Sequence, residues 1–287
     1  MKKRLTAAAC AAWMILTLIV PAGCGQAERS EQPENGQTQE SVSLPGQEPE
    51  ETEQDSSVVQ EPEETASETL TAGVYQYHLE TAEKSWSASN GEEACTVALE
   101  YPVFEGESPA EAAINEYFQQ WAEEKLAAYE TSEFVQEALE MRESGEYTIP
   151  AYSDDYAVEE VTVAQGVISI RMDNYLYLGG AHGMPGRENH IFSEADGSQI
   201  SLPELLSLSE DEINELARAA FLARIEEKHP EDGFFEDAAE TISAKTDFIS
   251  QSWLSREGVV FYTQPYEAGP YAAGFIEVTL TWEQLGL

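Results

Sequence analysis

Hydrophobic and polar positions alternate with period two over residues 74–79 and 95–104, the pattern of half-buried strands. The period then changes. Ile114, Tyr117, Phe118, Trp121 and Tyr129 recur at helical spacing, and Ser108-Pro-Ala-Glu111 ahead of them joins a capping serine, a first-turn proline and a reciprocating glutamate. A helix is therefore expected from Ser108 onward, its aromatic stripe serving as core. A second helix over 133–143 should stop near Gly145.

Strand patterning returns at 147–152, 156–164 and 167–178, with the last two joined tightly at Gln165-Gly166. Short strands at 190–193 and 199–201 flank Asp196-Gly197, which reads as a hairpin turn. Ser209-Glu-Asp-Glu212 repeats the capping chemistry and opens a helix expected to reach Lys228, with a further helical stretch over 237–249. Residues 253–254 and 259–263, parted by Glu257-Gly258, form a hairpin. A last strand at 275–280 precedes a closing turn at 282–285. This order predicts an α+β fold, an antiparallel sheet packed against two or more helices.

The N-terminal part follows different rules. Lys2, Lys3 and Arg4 precede an apolar run from Leu5 to Val20, then Pro21-Ala-Gly-Cys24. The run is shorter than the ~18 to 20 residues of a spanning helix, so residues 1–24 read as an export signal. Ala22 and Gly23 before Cys24 resemble a bacterial lipobox, with Cys24 as the lipidated residue, although Pro21 stands where a leucine-like residue is usual. Cleavage as an ordinary secretory signal is the alternative. Two acyl chains would hold the protein on the extracytoplasmic face of the cell membrane without a transmembrane helix. Residues 25–70 carry 13 acids and one arginine and no aromatic residue, so they are expected to be a disordered tether with a reach of ~40 Å.

Charge and cysteine narrow the chemistry. The chain has 55 acidic and 14 basic residues, a net charge of −41, and residues 71–287 hold 42 acids against 10 bases. Such a surface repels nucleic acid and attracts cationic proteins or divalent cations, unless the acidity serves solubility alone. Cys95 is the one cysteine left for the folded part, too few for an internal disulfide, and its alternating surroundings suggest a buried side chain.

No Gly-x-Ser-x-Gly elbow, His-Glu-x-x-His pair or phosphate-cradling glycine loop is present. The chain is thus not expected to be an enzyme, and no cofactor is implied. His182, Glu188 and His190 have ligand-like residue types, but their spacing fits no common zinc pattern, so no metal is assigned. Two glycine-aromatic stretches end strand-like runs: Tyr177-Leu-Gly-Gly-Ala-His-Gly183 and Tyr262-Thr-Gln-Pro-Tyr-Glu-Ala-Gly-Pro-Tyr-Ala-Ala-Gly274. The candidate binding residues lie in them. Gly179, Gly180 and Gly183 permit unusual backbone, and His182 can order its loop by hydrogen bonding. Pro265 and Pro270 stiffen the second loop, while Tyr266 and Tyr271 either offer contact area or fold back on the core.

These two stretches, with Ile200-Ser-Leu-Pro-Glu-Leu-Leu206 between them and Phe275-Ile-Glu-Val-Thr-Leu280 after, resemble the extracellular region of the RsiV type of lysozyme-sensing anti-sigma factor. The segment before resembles the accessory domain of PdaC-type peptidoglycan deacetylases. The implied division is residues 71–180 for the PdaC-like region and 181–287 for the RsiV-like one. The resemblance implies loops that engage a lysozyme or similar cationic protein. With only four residues before the apolar run, an anti-sigma role by the same route is not expected. What remains is a lipid-anchored binding protein. The alternatives are a peptidoglycan-associated enzyme accessory or a structural lipoprotein that binds divalent cations or the wall.

Overall fold

The computed structural model describes residues 68–145, 150–227 and 233–287. The leader, Cys24, nearly all of the expected tether and the first half of the strand expected at 147–152 lie outside them. The first sheet has six strands in chain order: β1 Leu70–Ala72, β2 Tyr75–Ser87, β3 Glu93–Phe104, β4 Tyr152–Ala164, β5 Val167–Tyr177 and β6 Met184–Ser193. Its β6, which begins after residue 180, is hydrogen-bonded to β5.

Four of the five pairings are antiparallel, but β3 and β4 run parallel. That departs from an all-antiparallel sheet, and the reason is the connection. Helices α1 Pro109–Tyr129 and α2 Glu133–Ser144 sit between β3 and β4, and a long crossover brings the chain back in the same direction. The Ser108 side chain accepts from the Glu111 amide and the Glu111 carboxylate accepts from the Ser108 amide, closing the expected capping box. Gly145 ends α2 in the left-handed region.

Ile114 and Phe118 of α1 are fully buried against Ile168, Ile170 and Met172 of β5 and Phe192 of β6. Burying Phe118 alone contributes ~1.5 to 3 kcal/mol. The opposite face of β5 and β6 meets a second sheet, β7 Ser252–Leu254, β8 Gly258–Thr263 and β9 Ile276–Thr281, in that order. Both faces of β8 are covered, so all six of its residues are buried. Val260 and Tyr262 cluster with Trp253, while Val259 and Phe261 pack under α4 Glu210–Glu227 and α5 Ala238–Ala244. The layers are helices, sheet, sheet, helices. Among the described residues no helix is long and apolar enough to cross a membrane.

Local differences from the expected elements have identifiable causes. β2 continues to Ser87 because Ala82 and Trp86 still face inward, although charged residues interrupt the pattern. The strand expected at 199–201 reduces to one bridge, Phe192 to Gln199, because Ser201, Pro203 and Glu204 start a short helix, α3 Leu202–Leu206, with a capping box of its own. The helix expected over 237–249 stops at Ala244. Asn214 of α4 accepts a hydrogen bond from the Phe248 amide at 2.7 Å and draws Phe248 into the core, which takes that segment out of helical geometry. Cys95 is fully buried, and burial, with Glu93 adding to it, pushes its thiol up to about 11, so it is inert at neutral pH.

Candidate functional site

The first glycine-aromatic loop leaves β5 at Tyr177 and rejoins the sheet at Met184. The Gly183 amide donates to the Tyr175 hydroxyl at 2.6 Å, and the Tyr177 hydroxyl donates to the Gly180 carbonyl at 3.0 Å. A methyl group on Gly183 would come within 2.6 Å of the Tyr175 ring and 2.7 Å of the Leu176 carbonyl, so close approach is what excludes a side chain there. Gly179 is required for the other reason, a φ of +77°. His182 is exposed, and its Nδ1 donates to the Gly183 carbonyl at 2.9 Å. The hydrogen bond fixes the ring over the loop.

The second loop is a turn built against its own preferences. The Glu267 amide donates to the Gln264 carbonyl at 3.0 Å, which places Pro265 and Tyr266 at the centre of a four-residue turn. Tyr266 has φ +70°, the geometry of a type II turn, where glycine or asparagine is usual. Glu267 braces the turn by accepting from the Gln264 amide at 2.9 Å and pairing with Lys245 at 2.5 Å. A tyrosine held in that region stores roughly 1 to 2 kcal/mol of strain, a sign that the side chain is kept for what it presents. Tyr266→Gly is therefore expected to raise stability by about 1 kcal/mol, or ~2 to 4 °C in Tm. A thermal melt in which this variant is less stable than the parent would show that Tyr266 serves the fold.

The two loops meet. The His182 ring stacks on Tyr271 with centroids 3.9 Å apart at 27°, and Tyr266 lies 5.8 Å from Tyr271. A hydrogen bond with Tyr175 favours the protonated Tyr271 hydroxyl and raises its pKa, burial and the neighbouring phenols adding to it. The result is one surface on which Tyr175 and Tyr266 expose 41 and 51% of their area around Tyr271 and His182. Pro270 is exposed beside Tyr271 and Gly180 lies on the outside of the first loop. Pro265 and Gly183 are buried beneath, shaping the loops without meeting solvent.

This surface is uncharged within a strongly acidic chain. No charged residue stands between Asp173 and Arg187, and Glu267 alone between Gly258 and Ile276, where Lys245 neutralises it. A contiguous aromatic patch at loop tips is the physical form of a docking site, since tyrosine rings give contact area at little entropic cost. Tyr175 is a member that sequence reasoning passed over. The signal available for it was the run of residues 174–186 without a charge.

Glu188 and His190 do not share a site with His182. They project from β6 toward α1, where Lys125 pairs with Glu188 at 2.5 Å and lies over the Trp121 and Tyr156 rings at 5.0 and 4.0 Å. The His190 Nε2 stands 3.4 Å from Glu188, and its Nδ1 lies 3.1 Å from the Tyr117 hydroxyl. Burial opposes ionisation of Glu188, yet the His190 contact and the Lys125 charge outweigh it and hold the carboxyl at about 2. Among the described residues no three His, Cys, Asp or Glu side chains come together to hold a metal ion.

Residues 88–185 match the family model described as Deacetylase PdaC, and residues 203–283 match that of a protein family of unknown function, DUF3298. The chain joins a PdaC-type segment to a DUF3298-type segment. A crystal structure of a DUF3298 family member from Bacteroides fragilis shares the fold, at 15% identity and a TM-score of 0.52, over 75% of this chain and 93% of that one. A DUF3298 family protein from Pseudomonas aeruginosa aligns over 73% of this chain and 92% of its own, at 18% identity and a TM-score of 0.46. No curated protein matches the chain. The aromatic surface draws its first loop from the end of the PdaC-type segment and its second from the DUF3298-type segment.

Proposed function

We propose that this chain is a lipid-anchored extracytoplasmic binding protein. Its contact face is the surface made by the two loops, and its partner is a lysozyme-like cationic protein. The observation that carries the reading is the stacking of His182 on Tyr271, which unites both candidate loops into one exposed, uncharged aromatic face. The proposal includes a lipidated Cys24 and residues 25–70 as a tether to the membrane, and it assigns the chain no catalytic step.

Two physical effects divide the work in this reading. The charge of residues 71–287, 42 acids against 10 bases, draws a cationic partner in over distances set by the Debye length, which falls from about 30 Å at 0.01 M salt to about 8 Å at 0.15 M. Contacts within the aromatic face are short-ranged and set the rate of release. Surface-binding kinetics with a lysozyme across that salt range test both. Association is expected to slow several-fold with salt while dissociation stays nearly constant. Tyr271→Ala is expected to weaken binding by ~1 to 3 kcal/mol, mainly through faster release, with the fold intact. Absence of binding at the lowest salt would remove the lysozyme reading.

A further inference from the structure

We propose that Arg187 is the positioning residue that makes the two loops a single surface, an inference that rests on the binding role just described. The Arg187 side chain is only 6% exposed. Its Nε and Nη2 donate to the two carboxylate oxygens of Asp173 at 2.7 and 3.0 Å, and its Nη1 donates to Glu277 at 2.6 Å. The guanidinium lies 4.2 Å from the centre of the Phe275 ring and 5.0 Å from that of Tyr262, and the Arg187 carbonyl accepts from the Tyr262 hydroxyl at 3.0 Å.

The places these partners occupy in the chain give the contacts their meaning. Asp173 lies on β5, two residues before Tyr175, at the entry to the first loop, and Arg187 lies on β6 just past its exit. Tyr262 lies at the end of β8, at the entry to the second loop, and Phe275 and Glu277 follow its exit. One side chain thus holds all four strand ends from which the loops spring. It also joins the first sheet to the second, so the spacing of His182 and Tyr271 is set through it. A guanidinium can do this because its planar fork binds two carboxylates in fixed directions while its face packs on a ring. An ammonium has one donor centre and no such plane.

Amide hydrogen exchange of the full-length protein tests the assignment without any ligand. In Arg187→Lys, exchange over residues 178–183 and 264–274 is expected to rise together by roughly tenfold or more, with α1 and β3 unchanged. Glu277→Gln, which leaves the Asp173 pair in place, should raise both loops by a smaller factor. Lysozyme binding by Arg187→Lys should fall by roughly tenfold alongside. Exchange that stays at the parental rate in both loops, or rises in one alone, overturns the proposal. Should Arg187→Lys fail to fold, Glu277→Gln decides by the same criterion. If exchange rises in both loops while the parent protein binds no lysozyme, the positioning role stands and the partner assignment falls.

Discussion

Replacing Lys125 by methionine is expected to destabilise the protein by about 2 to 4 kcal/mol, the low side of what stripping one partner from a buried ion pair costs, because both side chains keep some contact with water. Methionine reproduces the lysine stem and can still pack on Trp121 and Tyr156, so the loss is that of the charge. Glu188 would then face the underside of α1 with His190 as its one remaining counter-group. The measurement is the urea unfolding midpoint at unchanged slope. Adding Glu188→Gln to the methionine variant should recover most of the loss, since a neutral amide is far cheaper to bury than a lone carboxylate. A single variant within about 0.5 kcal/mol of the parent would mean that water already screens the pair.

The elements that the sequence shows best are those whose stabilising partners lie close in the chain. Ser108 with Glu111, Ser209 with Glu212, and the turn at Gln165-Gly166 are each completed within a few residues, and the structure forms all three as expected. Ser201, Pro203 and Glu204 carried the same signal, but a five-residue helix leaves no apolar period to support it. The break after Ala244 was hidden for the opposite reason. Its cause, the Asn214 side chain on the Phe248 amide, comes from another helix.

The candidate site divides along the same line. Each loop is visible as glycine, proline and tyrosine ending a strand, but their contact is not. His182 and Tyr271 meet only because the second sheet packs on the outer face of β5 and β6. The anchoring ion pairs were hidden by composition. Asp173, Glu188 and Glu277 are three among 55 acidic residues, and nothing in the chain singles them out until the fold places Arg187 and Lys125 beside them. Grouping His182 with Glu188 and His190 by residue type fails for a simple geometric reason. Alternate residues of β6 share a face, so Glu188 and His190 point together toward α1, whereas His182 precedes the strand.

Acid should weaken the fold through Glu188, with a definite window. Its folded pKa of about 2 lies below the ordinary 4.5, so the stability it contributes is fully present above about pH 4.5 and is lost as pH falls through about 2. A depression of that size corresponds to about 3 kcal/mol, or slightly less for a side chain not wholly shielded from water. Two effects run the other way. Asp154 is raised by burial, the hydrogen bonds from Tyr129 and Asn174 only partly offsetting it, so protonation of Asp154 favours the folded state as pH falls toward its ordinary value. Neutralising the many exposed acids also relieves self-repulsion. The raw stability curve mixes all three, and the difference between parent and Glu188→Gln isolates the first. That difference should be constant above about pH 5 and shrink toward pH 2 by about 3 kcal/mol. A difference that does not change across this range would show that the carboxylate of Glu188 is not held by Lys125 and His190, and would count equally against the loss expected for Lys125→Met.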